Sequence, residues 1–205
     1  MATTSRFARG ERVPWWAASA LGAAHLALLL AVHRVRPENL LADGLVVVVP
    51  LFGRRARAFV LAALPLWLTG ALFDLQPLWL PLRGPIHTGD LRALDASLFP
   101  APGASAWPEL FGAHPISAVD LATGFAYATY LLELFGVATY LYVAHRERYD
   151  RLSWAFFAAS AIGLLVYVAY PAAPPWYVMQ HGLGPADPAA LPSAAGAARF
   201  DALTG

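Results

Sequence analysis

No cysteine occurs in the 205-residue chain, and all 14 of its Lys-or-Arg side chains are arginine. The first absence excludes disulfides and any thiolate metal site. Charge is scarce as well: 13% of residues are charged against 59% hydrophobic, and the formal net charge is +1. A chain this apolar is not an ordinary soluble domain. One this close to neutral lacks the basic footprint of a nucleic-acid binder, so no nucleic-acid partner is expected. The 6 histidines are scattered and form neither an HxxxH nor an HExxH pair, which argues against a zinc site, and no metal or other cofactor is expected. The first apolar run is too long for a cleavable leader and lacks a small-residue cleavage site after it.

What the chain does have is apolar runs. They predict an all-α, polytopic membrane helical bundle of about five transmembrane helices with short interfacial helices, forming one integral membrane domain over 1–205. The spans are expected near 15–33, 40–52, 59–80, 119–144 and 153–170. At about 1.5 Å per residue the first matches a hydrocarbon core of about 30 Å. Trp15 and Trp16 sit at its mouth as interface anchors, and His25 inside it is expected to bond a neighbouring helix. The 40–52 run is short; it reads as a span because the compact basic loop Gly53-Arg54-Arg55-Ala56-Arg57 follows. The 59–80 span is expected to be broken by Pro65 and Pro77. In 119–144, Tyr127, Tyr130, Glu133 and Tyr140 share roughly one face. A carboxylate at mid-bilayer costs about 2.5 to 3.5 kcal/mol on insertion scales. Glu133 is therefore expected to face the bundle interior, protonated or paired with a Tyr or His of a neighbouring helix. Ser153, Ser160 and Tyr167 recur on one face of the last span, a pattern of helix–helix packing.

Two segments differ from the spans. In 81–117, Thr88 or Asp90 is placed to cap a short surface helix with Leu91, Leu94, Leu98 and Phe99 at helical spacing. Trp107 and Phe111 suggest a second interfacial contact. The other is the end of the last apolar run, Tyr170-Pro171-Ala172-Ala173-Pro174-Pro175-Trp176-Tyr177, where prolines stop the helix and aromatic residues suit the headgroup layer. A polar tail, 171–205, follows. The arginines of the N-terminus, of Gly53–Arg57 and of His145–Arg151 mark the cytoplasmic side. The 81–117 segment and the tail then share the opposite face. That brings His87, Asp90, Trp176, His181 and Arg199 to one interface.

The exit Pro171 to Trp176, followed by Gly-Ala-Ala-Arg-Phe-Asp-Ala-Leu-Thr-Gly (Gly196 to Gly205), resembles one branch of the type-2 phosphatidic acid phosphatase superfamily. That branch contains the fungal inositol phosphorylceramide synthases and their bacterial relatives. Pro85-Ile86-His87-Thr88-Gly89-Asp90-Leu91 is similar to the surface segment before the branch's core. The resemblance covers about residues 40–205. It implies metal-independent phosphoryl transfer through a phosphohistidine, with a second, Asp-held His for the leaving-group proton. Those groups belong to a Pro-Ser-Leu-His element and a later His-x-x-x-Asp element, and neither is present here. No catalytic residue is therefore assigned. The chain is expected to be the N-terminal portion of a longer enzyme, in which case the reading frame past Gly205 supplies Pro-Ser-Leu-His and an apolar run.

The resemblance makes Arg199 a phosphate ligand; the plainer reading pairs it with Asp201 or lipid headgroups. Pro175, Trp176 and Tyr177 line a lipid entrance or simply anchor the helix. His87 and Asp90 form a polar site or a helix cap with a solvated histidine, and His181 follows the exit closely enough for substrate contact. The implied partners are membrane lipids and a phospholipid or polyprenyl-phosphate substrate, at the extracytoplasmic face of a bacterial inner membrane. Two other readings stand beside this one: an inactive lipid-binding relative, and a small transporter using Glu133.

Overall fold

The computed structural model describes residues 14–102, 107, 110, 116–174, 177–178 and 181–185. Their regular structure is helical, apart from an isolated parallel bridge between His87 and Ala172. The chain divides into two compact units, Met1–Pro81 with Ala138–Leu164, and Leu82–Val137 with Leu165–Gly205.

In the first unit, α1 (Trp15–Ala31) starts where Pro14, in an extended conformation, can still accept a bond from Ala17 N–H at 2.9 Å. It stops at His33, whose φ of 54° turns the chain left-handed and lets Arg34 N–H reach Leu29 O at 2.9 Å. Pro37 opens α2 (Pro37–Val48), where its missing N–H costs nothing. A 3₁₀ turn, Val49–Phe52, leads to Gly53, whose φ of 110° suits only glycine and redirects the chain into α3 (Arg54–Asp74). α3 runs through Pro65 without a break, contrary to the break expected there. Neighbouring helices tolerate such a proline within a span, and Pro65 is buried among them. The interruption comes at Leu75, before Pro77 opens the short α4 (Gln76–Trp79).

α1, α2 and α3 pack on Ala18, Val46, Val60 and Leu64. Gly22 permits close approach of α1 and α2: a Cβ there would lie 3.0 Å from Val46 Cγ1. Ser19 Oγ bonds Val46 O at 3.2 Å across the same seam. A second cluster joins Ala62, Ala138 and Tyr149, and Tyr149 Oη donates to Ala62 O at 3.1 Å.

The second unit contains α5 (Asp90–Leu98) and α6 (Ser117–Ala144) as far as Val137. The helix α7 (Arg146–Ala169) ends at the proline-rich exit. Ser153 of α7 is buried, and Ser160 and Tyr167 are half-buried, as a packing face requires.

By length and composition α3 and α7 are long and apolar enough to cross a membrane, and α6 joins them if its two parts, bent by 47°, are one span. α1 is apolar over 17 residues, and the run expected at 40–52 is a 12-residue helix plus a 3₁₀ turn, both shorter than the roughly 20 residues a spanning helix takes. All-α architecture follows from the apolar runs.

Candidate functional site

The second unit stitches the 84–90 segment to the exit of α7. Gly84 N–H donates to Val168 O at 3.3 Å, and His87 N–H donates to Pro171 O at 2.8 Å. Ala173 N–H returns a bond to His87 O at 2.8 Å. Proline determines this pairing. Pro171 ends the helix and exposes carbonyls that α7 would otherwise have used, so the 84–87 segment finds partners.

The side chains of this seam converge. His87 Nδ1 lies 2.7 Å from Asp90 Oδ2, and the Tyr170 hydroxyl donates to the same oxygen. The His87 ring stacks on Tyr170, with centroids 3.8 Å apart and planes 15° from parallel. Asp90 is the first residue of α5, and its Oδ1 accepts from Leu91 N–H at 3.0 Å. The Tyr170 bond above all, then the Leu91 N–H and His87, hold the Asp90 carboxylate below its usual 3.8, against opposing desolvation.

The sign of that shift sets a pH dependence. A depressed carboxylate contributes its contacts fully above the ordinary value and loses them as pH falls through the lower folded-state value. The seam is therefore expected to hold throughout the neutral and mildly acid range. In ¹³C-carboxyl NMR, Asp90 should titrate below the ordinary carboxylate value, and Tyr170→Phe should raise its midpoint. An unchanged midpoint in Tyr170→Phe would refute the assignment of the Tyr170 bond.

Other expected site residues fall differently. Neither Thr88 nor Asp90 caps α5 from outside: Gly89 holds the cap position, and Thr88 Oγ1 instead bonds Leu183 O at 3.0 Å. That bond ties the seam to the region of His181. Tyr177 is buried, its ring centroid 4.5 Å from that of His181. Glu133 is exposed, not interior, and its partner is Thr129 Oγ1 at 2.8 Å, one turn back on its own helix. The i,i+4 spacing meets the need expected of a neighbouring Tyr or His. Pro175, Trp176, Arg199 and Asp201 lie outside the described residues. Tyr170 is the member sequence reasoning missed. It was visible as the last residue before the prolines, but nothing in the chain links it to Asp90, 80 positions away.

A polar node also fills the first unit. His25 of α1, Asp43 of α2 and Trp67 of α3 meet, with His25 Nδ1 2.9 Å from Asp43 Oδ2 and Trp67 Nε1 2.9 Å from Asp43 Oδ1. The His25 and Asp43 side chains are only 5% and 1% exposed. The expectation of an interhelical partner for His25 is met, and the partner is a carboxylate. Near the end of α3, Asp74 receives Arg36 and Asn39.

A family model described as the PAP2 superfamily matches residues 89–204, more than half of the chain. The chain belongs to the PAP2 superfamily. The match starts one residue before Asp90, so this PAP2-superfamily chain has its seam at the edge of the family core. It is 31% identical over 192 residues to a phosphoinositol dihydroceramide synthase of Bacteroides thetaiotaomicron, covering 88% of this chain and 60% of that protein. It is 44% identical over 52 residues to an inositol phosphorylceramide synthase of Candida albicans, covering 25% of this chain and 11% of that one. The PAP2-superfamily chain thus spans less than two thirds of the length of the relatives it matches. No solved structure matches it. Its apolar helices and its membrane-enzyme relatives mark it as a membrane protein.

Proposed function

We propose that this chain is the lipid-holding portion of a membrane-embedded phosphotransferase that moves a phosphorylated head group from a phospholipid to a lipid alcohol. The observation that carries the reading is the family match over 89–204, which takes in Asp90 and the α7 exit. Relatives named for phosphoinositol transfer support that substrate class. In this reading the short helices α1 and α2 complete a five-span arrangement with the arginine loops cytoplasmic. His87, Asp90 and the α7 exit face outward. Arg199 holds phosphate oxygens through its planar fork. Trp176, Pro175 and Tyr177 shape the lipid approach, His181 lies beside it, and Glu133 contributes a polar contact from α6.

The product of the complete reading frame, reconstituted in liposomes, tests this. Transfer of labelled phosphoinositol from phosphatidylinositol to ceramide is expected. Arg199→Ala is expected to lower the rate about ten- to hundredfold, the worth of a charge-assisted bond to phosphate. Absence of both transfer and phosphate release from every phospholipid offered would exclude the reading.

A further inference from the structure

We propose that His87 Nε2 is a hydroxyl-binding atom, accepting a hydrogen bond from an alcohol group of the lipid substrate while phosphate is held elsewhere. The proposal rests on the lipid-phosphotransferase reading and sharpens it: one corner of the site recognises hydroxyl, not phosphate.

An ionised carboxylate only accepts, so the proton between His87 Nδ1 and Asp90 Oδ2, 2.7 Å apart, sits on the ring nitrogen. In the neutral imidazole Nε2 then carries a lone pair and is an acceptor. Among the described residues no group bonds Nε2, and the His87 side chain is 30% exposed. The ring cannot readily turn away. It is stacked on Tyr170, and its backbone is bonded in both directions to the α7 exit. The Tyr170 proton is already committed to Asp90. Arg92, the cation on the same helix, has an interaction of its own. What the cluster offers a ligand is therefore one fixed acceptor backed by a carboxylate. A phosphate brought there would meet a like charge, whereas a hydroxyl donor would meet a lone pair.

Hydroxyls reach this face from two sources, a polyol head group and an acceptor lipid alcohol. The whole chain in phosphatidylcholine nanodiscs is titrated with phosphatidylinositol, with phosphatidic acid, which keeps the phosphate and lacks the polyol, and with ceramide. His87→Ala is expected to weaken either phosphatidylinositol or ceramide binding about three- to tenfold, the range of one neutral hydrogen bond. Phosphatidic acid binding should be unchanged. His87→Gln, which keeps an acceptor, should recover part of the loss, a rescue that a packing defect would not give. Loss for phosphatidylinositol assigns the hydroxyl to the head group; loss for ceramide assigns it to the acceptor. The proposal is overturned if His87→Ala leaves all three affinities unaltered, if phosphatidic acid weakens in parallel, or if Gln rescues nothing. Failure of the wild-type chain to bind any of the three lipids instead sinks the phosphotransferase reading, and this proposal with it.

Discussion

Replacing His25 by leucine is expected to cost about 3 kcal/mol of unfolding free energy, the scale for leaving a buried carboxylate short of a hydrogen-bond donor. The reason is the node joining α1, α2 and α3. His25 and Asp43 are nearly inaccessible, and Asp43 accepts from both His25 and Trp67. His25 Nε2 is buried with no bonding partner among the described residues. A proton there would be an orphan donor, so the tautomer with Nδ1–H aimed at Asp43 is the one the packing supports. Without His25 the carboxylate keeps Trp67 alone. Asp43→Leu should also destabilise, by leaving His25 Nδ1 and Trp67 Nε1 unpaired. The pair His25→Leu with Asp43→Leu should regain most of the loss, because two apolar side chains need no partners. Adding Trp67→Phe should regain more by removing the last stranded donor. Unfolding in bicelles measures all four. Additive losses in the double variant would show that the two side chains do not act as a pair.

Tyr149→Ala is the second large effect, about 3–5 kcal/mol, as for other buried aromatic truncations. Tyr149 is buried, with its ring edge-on to Tyr142 at 5.3 Å and its hydroxyl bonded to Ala62 O. The Arg146 guanidinium lies 4.2 Å from the Tyr142 centroid and 5.6 Å from that of Tyr149. Removing the ring opens a cavity between α3 and the start of α7 and strips Arg146 of one aromatic face. Tyr149→Phe separates these contributions. It keeps the ring and loses one hydrogen bond, so about 0.5–1.5 kcal/mol is expected. Equal losses in the two variants would mean that the hydroxyl, not the packing, anchors this cluster.

Much of the fold was legible because apolar runs and prolines act locally. Pro14, Pro37 and Pro171 stand at helix boundaries in the structure as their backbone chemistry requires. Pro65 departs from that rule, standing inside α3. A proline removes one helix hydrogen bond, a cost that the burial of Pro65 among packed helices offsets. The candidate site was half legible: the arginine pattern placed the 81–117 segment and the α7 exit on one face, and the structure bonds them directly.

The sequence alone determined that the chain is helical, that it suits a membrane, and that its exit motif belongs with the PAP2 superfamily, because these depend on residue type and short-range order. Only the tertiary structure decided that His25 meets Asp43, that Tyr170 grips Asp90, and that Glu133 turns to its own helix. Such pairings depend on how each helix is rotated about its axis. That rotation is the outcome of packing between segments far apart in the chain, and no single segment encodes it.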